Sequence, residues 1–128
     1  GFSKFIDGLG VSVYRVTQDR YFGVRKYHFI PPWYYAHKAL LIRFWQPRVY
    51  ISEFQMEPWV IGNVRDTAFD QQRKSFDIQQ LHDNFWTAEH AGFQDIYLWG
   101  AEWWYWMKTQ KRHPEFWEGI REGISKVQ

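Results

Sequence analysis

Hydrophobic positions along this chain switch between two periods. From Leu9 to Val16 the run Leu-Gly-Val-Ser-Val-Tyr-Arg-Val is apolar and rich in β-branched residues, which predicts a buried strand. Residues 17–32 are polar and aromatic and end in Pro31-Pro32, so they predict a long connection, and long connections tend to carry function. Pro32 suits the first turn of a helix. Residues 33–45 predict that helix, with Trp33, Ala36, Ala39, Leu40 and Phe44, or the nearby Leu41, on one apolar face. Pro47 stops it. Residues 48–54 predict a second strand around the β-prone centre Val49-Tyr50-Ile51. Pro58 and Gly62 break the stretch from Gln55 to about Thr67. Residues 70–90 predict one long helix carrying Phe76, Leu81, Phe85 and Ala88, with Gly92 as its stop. Residues 94–99 predict a third strand, Gly100 to Trp106 an aromatic loop or short helix, and Pro114 to Lys126 an amphipathic helix with Phe116, Trp117, Ile120 and Ile124 on its apolar face.

The order strand, helix, strand, helix, strand, helix argues for an α/β fold in which helical crossovers join parallel strands. A sheet of three strands has two open edges, a state that proteins usually cover. The chain is therefore expected to pair with something or to belong to a longer protein.

Composition narrows this further. The 128 residues are 45% hydrophobic and 23% charged, an ordinary globular balance. Aromatics make up 22%, and nine residues are Trp, more than a packed core needs. Trp is awkward in a core unless its N–H finds a partner, so the surplus points to an aromatic-lined site, with a large aromatic core carrying some surface Trp as the plainer alternative. The net charge of +2 is spread over both signs and gives no clustered basic footprint for nucleic acid. Cysteine is absent, which removes disulfide and thiolate chemistry. No apolar run approaches the ~18–20 residues of a membrane span. The five His residues have no spacing suited to a metal, and none is expected to bind one.

The candidate chemistry gathers at strand ends. Tyr14 and Arg15 close the first strand. Glu53 closes the second and is followed by Gln55, Glu57 and Trp59. Trp99 closes the third and is followed by Glu102, Trp103 and Trp104. In (β/α)8 enzymes the C-terminal ends of the strands form the active face.

Val49-Tyr50-Ile51-Ser52-Glu53-Phe54 resembles the seventh-strand nucleophile segment of the clan of retaining glycosidases that holds cellulases, β-mannanases and β-galactosidases. The clan usually has Gly shortly after this Glu; here Gln55 stands in its place. Asp7 to Tyr14 resembles the sixth strand, and Gly92 to Trp99 the eighth. Together with Gln55-Met56-Glu57-Pro58-Trp59 and Trp99-Gly100-Ala101-Glu102-Trp103-Trp104, the chain looks like a bacterial branch of that clan.

The resemblance implies a partial (β/α)8 TIM barrel of three β–α units, residues 1–128 forming one C-terminal segment of a longer catalytic domain. It implies cleavage of β-linked glycans by retaining double displacement, with Glu53 as nucleophile and Tyr14 orienting it. Trp99 would be the sugar platform, and Arg15, Gln55, Glu57, Trp59, Glu102 and Trp103 would line the substrate site. The acid/base of this clan is a Glu in an Asn-Glu step on the fourth strand, which would precede residue 1. The implied partners are a β-linked oligo- or polysaccharide and the rest of the barrel, strands one to five, in the same or another chain. No cofactor is implied. Export or membrane anchoring through an upstream region is the expected location.

Within this chain, two carboxyls compete for the second catalytic role. Glu57 would lie about 13 Å from Glu53 along an extended strand, at ~3.3 Å per residue, and would need a tight fold-back. Glu102 follows a neighbouring strand and is expected near Glu53, as a hydroxyl acceptor. Plainer roles stand beside these. Glu53 would be a strand-end charge that caps a helix or pairs with Arg15, Glu57 a loop carboxylate paired with an Arg, Glu102 a cap of the following turn and Trp99 core. Tyr14 would be a structural hydrogen bonder, and Arg15 is expected to make an ion pair in any case. Some of Trp103, Trp104 and Trp106 must pack inside, since adjacent residues cannot all face one cleft. The whole chain would then be a carbohydrate-binding module or a structural fragment without catalysis.

Overall fold

A computed structural model describes residues 6–127. In chain order the elements are β1 (Leu9–Val13), β2 (Val16–Asp19), β3 (Gly23–Lys26), α1 (Pro32–Arg43), β4 (Val49–Gln55), a short 3-10 turn (Val64–Asp66), α2 (Phe69–Gln72), α3 (Ile78–His90), β5 (Ile96–Trp99), α4 (Ala101–Gln110) and α5 (Glu115–Val127). The three main strands form a parallel sheet in the order β1-β4-β5, so each new strand is added beside the last. The fold is mixed α/β with helical crossovers, as the alternating pattern predicts.

One face of this sheet is apolar and covered. Val13, Ile51, Phe54 and Met56 pack against Leu81, Phe85 and Ala88 of α3, Trp103, Trp104 and Met107 of α4, and Phe116 and Ile120 of α5. Val11, Ile96 and Leu98 join them from the same side. The alternate positions Gly10, Ser12, Tyr97 and Trp99 are exposed. The sheet thus carries its helices on one face and leaves the other open, as the two-residue period of strands requires when only one layer is present.

The period is broken once, in β4. Val11 of β1 pairs with Ile51, but Ser12 pairs with Glu53, so β4 holds one extra residue over that step. On its other side, Ile51 pairs with Ile96 and Phe54 with Leu98, again with one extra residue in β4. This bulge restores Phe54 to the covered face, where it is fully buried, and keeps Ser52 and Glu53 off that face.

Five sequence expectations change or sharpen. The strand predicted over Leu9–Val16 divides, because Tyr14 and Arg15 turn the chain out of the sheet between β1 and β2. The connection predicted over 17–32 contains an antiparallel hairpin, β2–β3, whose turn is held by Asp19 accepting from the backbone N–H groups of Tyr21 (2.9 Å) and Phe22 (2.7 Å). The helix predicted over 70–90 is two. Its break spans 73–77, where Phe76 dives into the core and Asp77 caps α3 by accepting from the Gln80 N–H at 2.8 Å. The aromatic segment after Gly100 is a ten-residue helix, α4. On α1, of the apolar face expected from Trp33 to Phe44, only Ala39 is buried.

The hairpin is fastened to the sheet by Gln55, which is 1% exposed. Its Oε1 accepts from the backbone N–H groups of Arg15 (3.0 Å) and Val16 (2.9 Å), and its Nε2 donates to the Val16 carbonyl (2.8 Å) and the Glu57 carbonyl (3.3 Å). From behind, the Asn84 amide of α3 donates to the Gln55 carbonyl at 2.7 Å. Asn84 accepts from Gln80 at 2.6 Å, and His28 Nε2 lies 2.6 Å from Gln80 Oε1. A chain of buried amides thereby ties the connection after β3, helix α3 and the end of β4 into one unit. Replacing Gln55 by Leu strands buried backbone N–H groups, each worth about 1–3 kcal/mol when left unpaired. Gln55→Leu is expected to lower unfolding stability in urea by about 2–4 kcal/mol and to open the hairpin to proteolysis first.

Candidate active site

Tyr14 leaves β1 on the open face, beside the bulge that presents Glu53. The Tyr14 hydroxyl donates to Glu53 Oε2 at 2.7 Å and the Ser12 hydroxyl donates to the same oxygen at 3.0 Å. Oε1 has no hydrogen-bond partner among the described residues, and Glu53 is partly exposed, so one carboxylate oxygen is anchored and the other faces the open side. Burial, the Glu53 hydrogen bond and the charges of Glu53 and Glu57 push the Tyr14 phenol up to about 12. It therefore stays protonated at neutral pH and acts as a donor to Glu53.

The second carboxylate sits across the same rim. Glu57 Oε1 accepts from the Trp99 indole N–H at 2.8 Å. The Met56 N–H continues the β4–β5 ladder by donating to the Trp99 carbonyl at 2.8 Å, which sets the two side chains against each other. Gly100 then turns the chain at φ 135°, and a Cβ there would come within 2.9 Å of Glu57, the Met56 carbonyl and Trp104. Only glycine fits this contact. Burial raises the Glu57 carboxyl above its ordinary 4.5; the Trp99 bond opposes the rise and the charge of Glu102 adds to it. Trp59 closes the side by packing edge-on against Tyr14, ring centroids 4.9 Å apart.

The sequence candidates therefore separate into two groups. Tyr14, Glu53, Glu57, Trp59 and Trp99 share the rim at the C-terminal ends of the three parallel strands, with Glu102 next to Glu57 in a cleft of about 200 Å³ that Arg65 and Trp106 also line. Glu102 lines this cleft with Glu57, and its charge adds to the rise of the Glu57 carboxyl. Gln55 and Trp103 lie inside. Gln55 spends its amide on the hairpin, and the Trp103 indole donates to Gln72 at 2.8 Å beneath the surface. Neither has a polar atom left for a ligand. Arg15 is also buried, but its expected ion pair is absent among the described residues. Its Nη1 donates to the Ile30 carbonyl at 3.2 Å, and Nε has no partner. Glu57, expected against an Arg, holds Trp99 instead.

Ser12 is the site residue that sequence reasoning passed over. Its signal was available: a hydroxyl two residues before Tyr14 in a strand shares Tyr14's face.

Among the described residues, no group of three or more His, Asp or Glu could hold a metal ion, and no helix is long and apolar enough to cross a membrane. No family model, curated protein or solved structure matches the chain.

The raised Glu57 carboxyl has a definite pH signature. The folded protein holds this proton more tightly than the unfolded chain does. The contribution is full below the unfolded value of 4.5 and is lost as pH rises through the higher folded value. Glu57→Gln, which keeps an acceptor for Trp99 and removes the charge, is therefore expected to gain in melting temperature over the parent as pH rises from below 4.5 to neutrality. A difference that stays flat with pH would contradict the burial of this carboxyl.

Proposed function

We propose that this chain is the nucleophile-bearing C-terminal part of a (β/α)8 glycosidase that hydrolyses β-linked glycans with retention. The observation that carries the proposal is the Glu53 carboxylate at a strand end, fixed through one oxygen by Tyr14 and Ser12 and free at the other. Three parallel strands in sequential order, helices on one face only and two unpaired edges are what strands six, seven and eight of such a barrel would look like by themselves. The open face, with Gly10, Ser12, Tyr97 and Trp99, would be the barrel interior and its upper rim.

In this mechanism Glu53 Oε1 attacks the anomeric carbon as the aglycone oxygen takes a proton from a second carboxyl about 5–5.5 Å away. The bond to the leaving oxygen breaks and a glycosyl ester of Glu53 forms. Water, deprotonated by the same second carboxyl, then displaces Glu53 at the anomeric carbon and returns it as a carboxylate. Tyr14 is a positioning residue. Its proton remains in place near neutrality, so its bond to Oε2 orients the carboxylate and stabilises the negative charge that returns to Glu53 when the ester is cleaved. The proton donor belongs to the preceding barrel strands, by the resemblance to the clan. Trp99 and Trp59, both partly exposed, offer ring faces to sugar, since the C–H faces of pyranose rings pack on aromatics as other apolar surfaces do. A binding module without catalysis would use the same rings and would have no need of Glu53.

The test uses the protein at its full natural length and aryl β-glycosides. Glu53→Gln is expected to lower kcat by at least about a thousandfold while leaving glycan binding within about threefold. A hydrogen bond to a charged group is worth about 1.5–3 kcal/mol, so Tyr14→Phe is expected to cost about 10- to 150-fold in kcat. Hydrolysis that survives Glu53→Gln would overturn the catalytic reading, and unchanged glycan binding alongside it would favour the binding module.

A further inference from the structure

Arg15 carries a buried charge that this chain does not balance. The residue is 5% exposed, and its side chain lies against the start of α1. Nη1 donates to the carbonyl of Ile30, just ahead of the helix, at 3.2 Å, and the guanidinium faces the Tyr35 phenol near the helix start. Nε has no partner. A guanidinium keeps its proton in a protein, so burial cannot neutralise it, and a buried charge is held well only when an opposite charge meets it. Among the described residues no Asp or Glu lies within ion-pair distance of Arg15, and residues 1–5 and 128 include no Asp or Glu. The titratable groups of the neighbouring elements are engaged elsewhere. Glu53 is on Tyr14 and Ser12, Glu57 on Trp99, Asp19 on Arg25 and His28 on Gln80. Beyond its tyrosines, the titratable side chains of α1 are His37, Lys38 and Arg43, all basic. Tyr35 is no counter-ion either. Burial holds its phenol above the ordinary 10 against the pull of Arg15, so it is neutral near pH 7.

The start of α1 lacks an anion of its own. Its N-cap is Pro31, which makes no side-chain cap, and its first turn holds no acidic residue, so the positive end of the helix dipole is also uncompensated. Two independent positive groups thus converge beside the end of β1, an outer strand whose second edge has no neighbour among the described residues. We propose that this position seats an Asp or Glu side chain from the part of the longer protein that adjoins β1, forming a buried ion pair with Arg15 across the seam. At 5% exposure the residue leaves one small opening, which admits a carboxyl carried on a side chain and excludes a sugar ring. The inference rests on the reading that these residues belong to a longer barrel; it does not need Glu53 to be a nucleophile.

The experiment is thermal unfolding of the protein at its full natural length and of Arg15→Met, which removes the charge and keeps an apolar stem, from neutrality down to about pH 3.5. Breaking a buried pair strands the partner, so Arg15→Met is expected to lower the melting temperature at neutrality by at least about 5 °C. In the parent, Arg15 holds the partner carboxyl below its unfolded value of about 4, and that stability is lost only as pH falls through the folded value. In the variant the stranded carboxyl is raised, and its cost fades as it takes up a proton. The loss is therefore expected to shrink steadily towards low pH. Arg15→Lys keeps the charge without the planar fork; it is expected to lose about half as much with the same trend, and it carries the test if Arg15→Met does not fold. A melting temperature that rises in Arg15→Met, as removal of an unpaired buried charge gives, would overturn the proposal, and so would a loss that stays flat with pH. Sulfate that stabilises the parent and not the variant would replace it with a free-anion site, and a loss confined to a concentration-dependent dimer would put the acid on a second copy. Hydrolysis of an aryl β-glycoside by the parent is measured alongside, so that a failure of the glycosidase reading is seen there and a failure of this one in the melting shift.

Discussion

One extra residue in β4 decides what this molecule can present to a ligand. Strict alternation along Val49–Gln55 would send Glu53 to the same side as Ile51, beneath the helices, and would turn Phe54 out to the open face. Both errors would be costly, one burying a carboxylate without a partner and the other exposing a large aromatic ring. The bulge between Ile51 and Phe54, felt by both neighbouring strands, avoids them together. It seats Phe54 in the core and leaves Glu53 where Ser12 and Tyr14 can reach it. A distortion of this kind persists only if its surroundings hold it, and here the end of β4 is held from two directions. Gln55 is locked to the hairpin, and its carbonyl is locked to Asn84 of α3.

The same arrangement explains the division of labour among the tryptophans. Trp103 and Trp104 are buried and spend their indole N–H groups on Gln72 and the Met56 carbonyl, so they satisfy the rule that a buried Trp needs a partner. Trp59 and Trp99 stay at the rim, one against Tyr14 and the other on Glu57. The acidic side chains follow suit. Glu53 accepts from two hydroxyl donors, whereas Glu57 is raised by burial and given an indole donor.

Much of this was legible in the sequence, and the failures share a cause. The parallel α/β order followed from alternating periods and from Pro and Gly stops. Tyr14, Glu53 and Trp99 could be placed on one rim because strand ends are easy to locate. Gln55 and Trp103 were assigned to the site because they flank it in sequence, but proximity along the chain does not say which way a side chain turns once a bulge or helix intervenes. The break at Arg73–Asp77 was hidden because Phe76 keeps helical spacing with Leu81 and Phe85 while sitting in a turn. The buried Gln80–Asn84 pair was missed because polar residues at helical spacing look like a solvent face. On α1 the period was correct and the direction wrong. An apolar stripe does not announce whether it faces the core, and Trp33, Leu40 and Phe44 face away from it.

In the proposed mechanism Glu53 is the nucleophile that bonds to sugar, and the groups around it hold it in place. A 2-fluoroglycosyl fluoride tests this most directly, because it forms the glycosyl ester and then hydrolyses slowly enough for the adduct to be located by peptide mass spectrometry. The protein at full natural length is predicted to carry the adduct on Glu53, within the peptide that contains Val49–Gln55. An adduct on Glu57, on Glu102 or on a residue outside this chain, formed by a protein that still hydrolyses the parent glycoside, would contradict it.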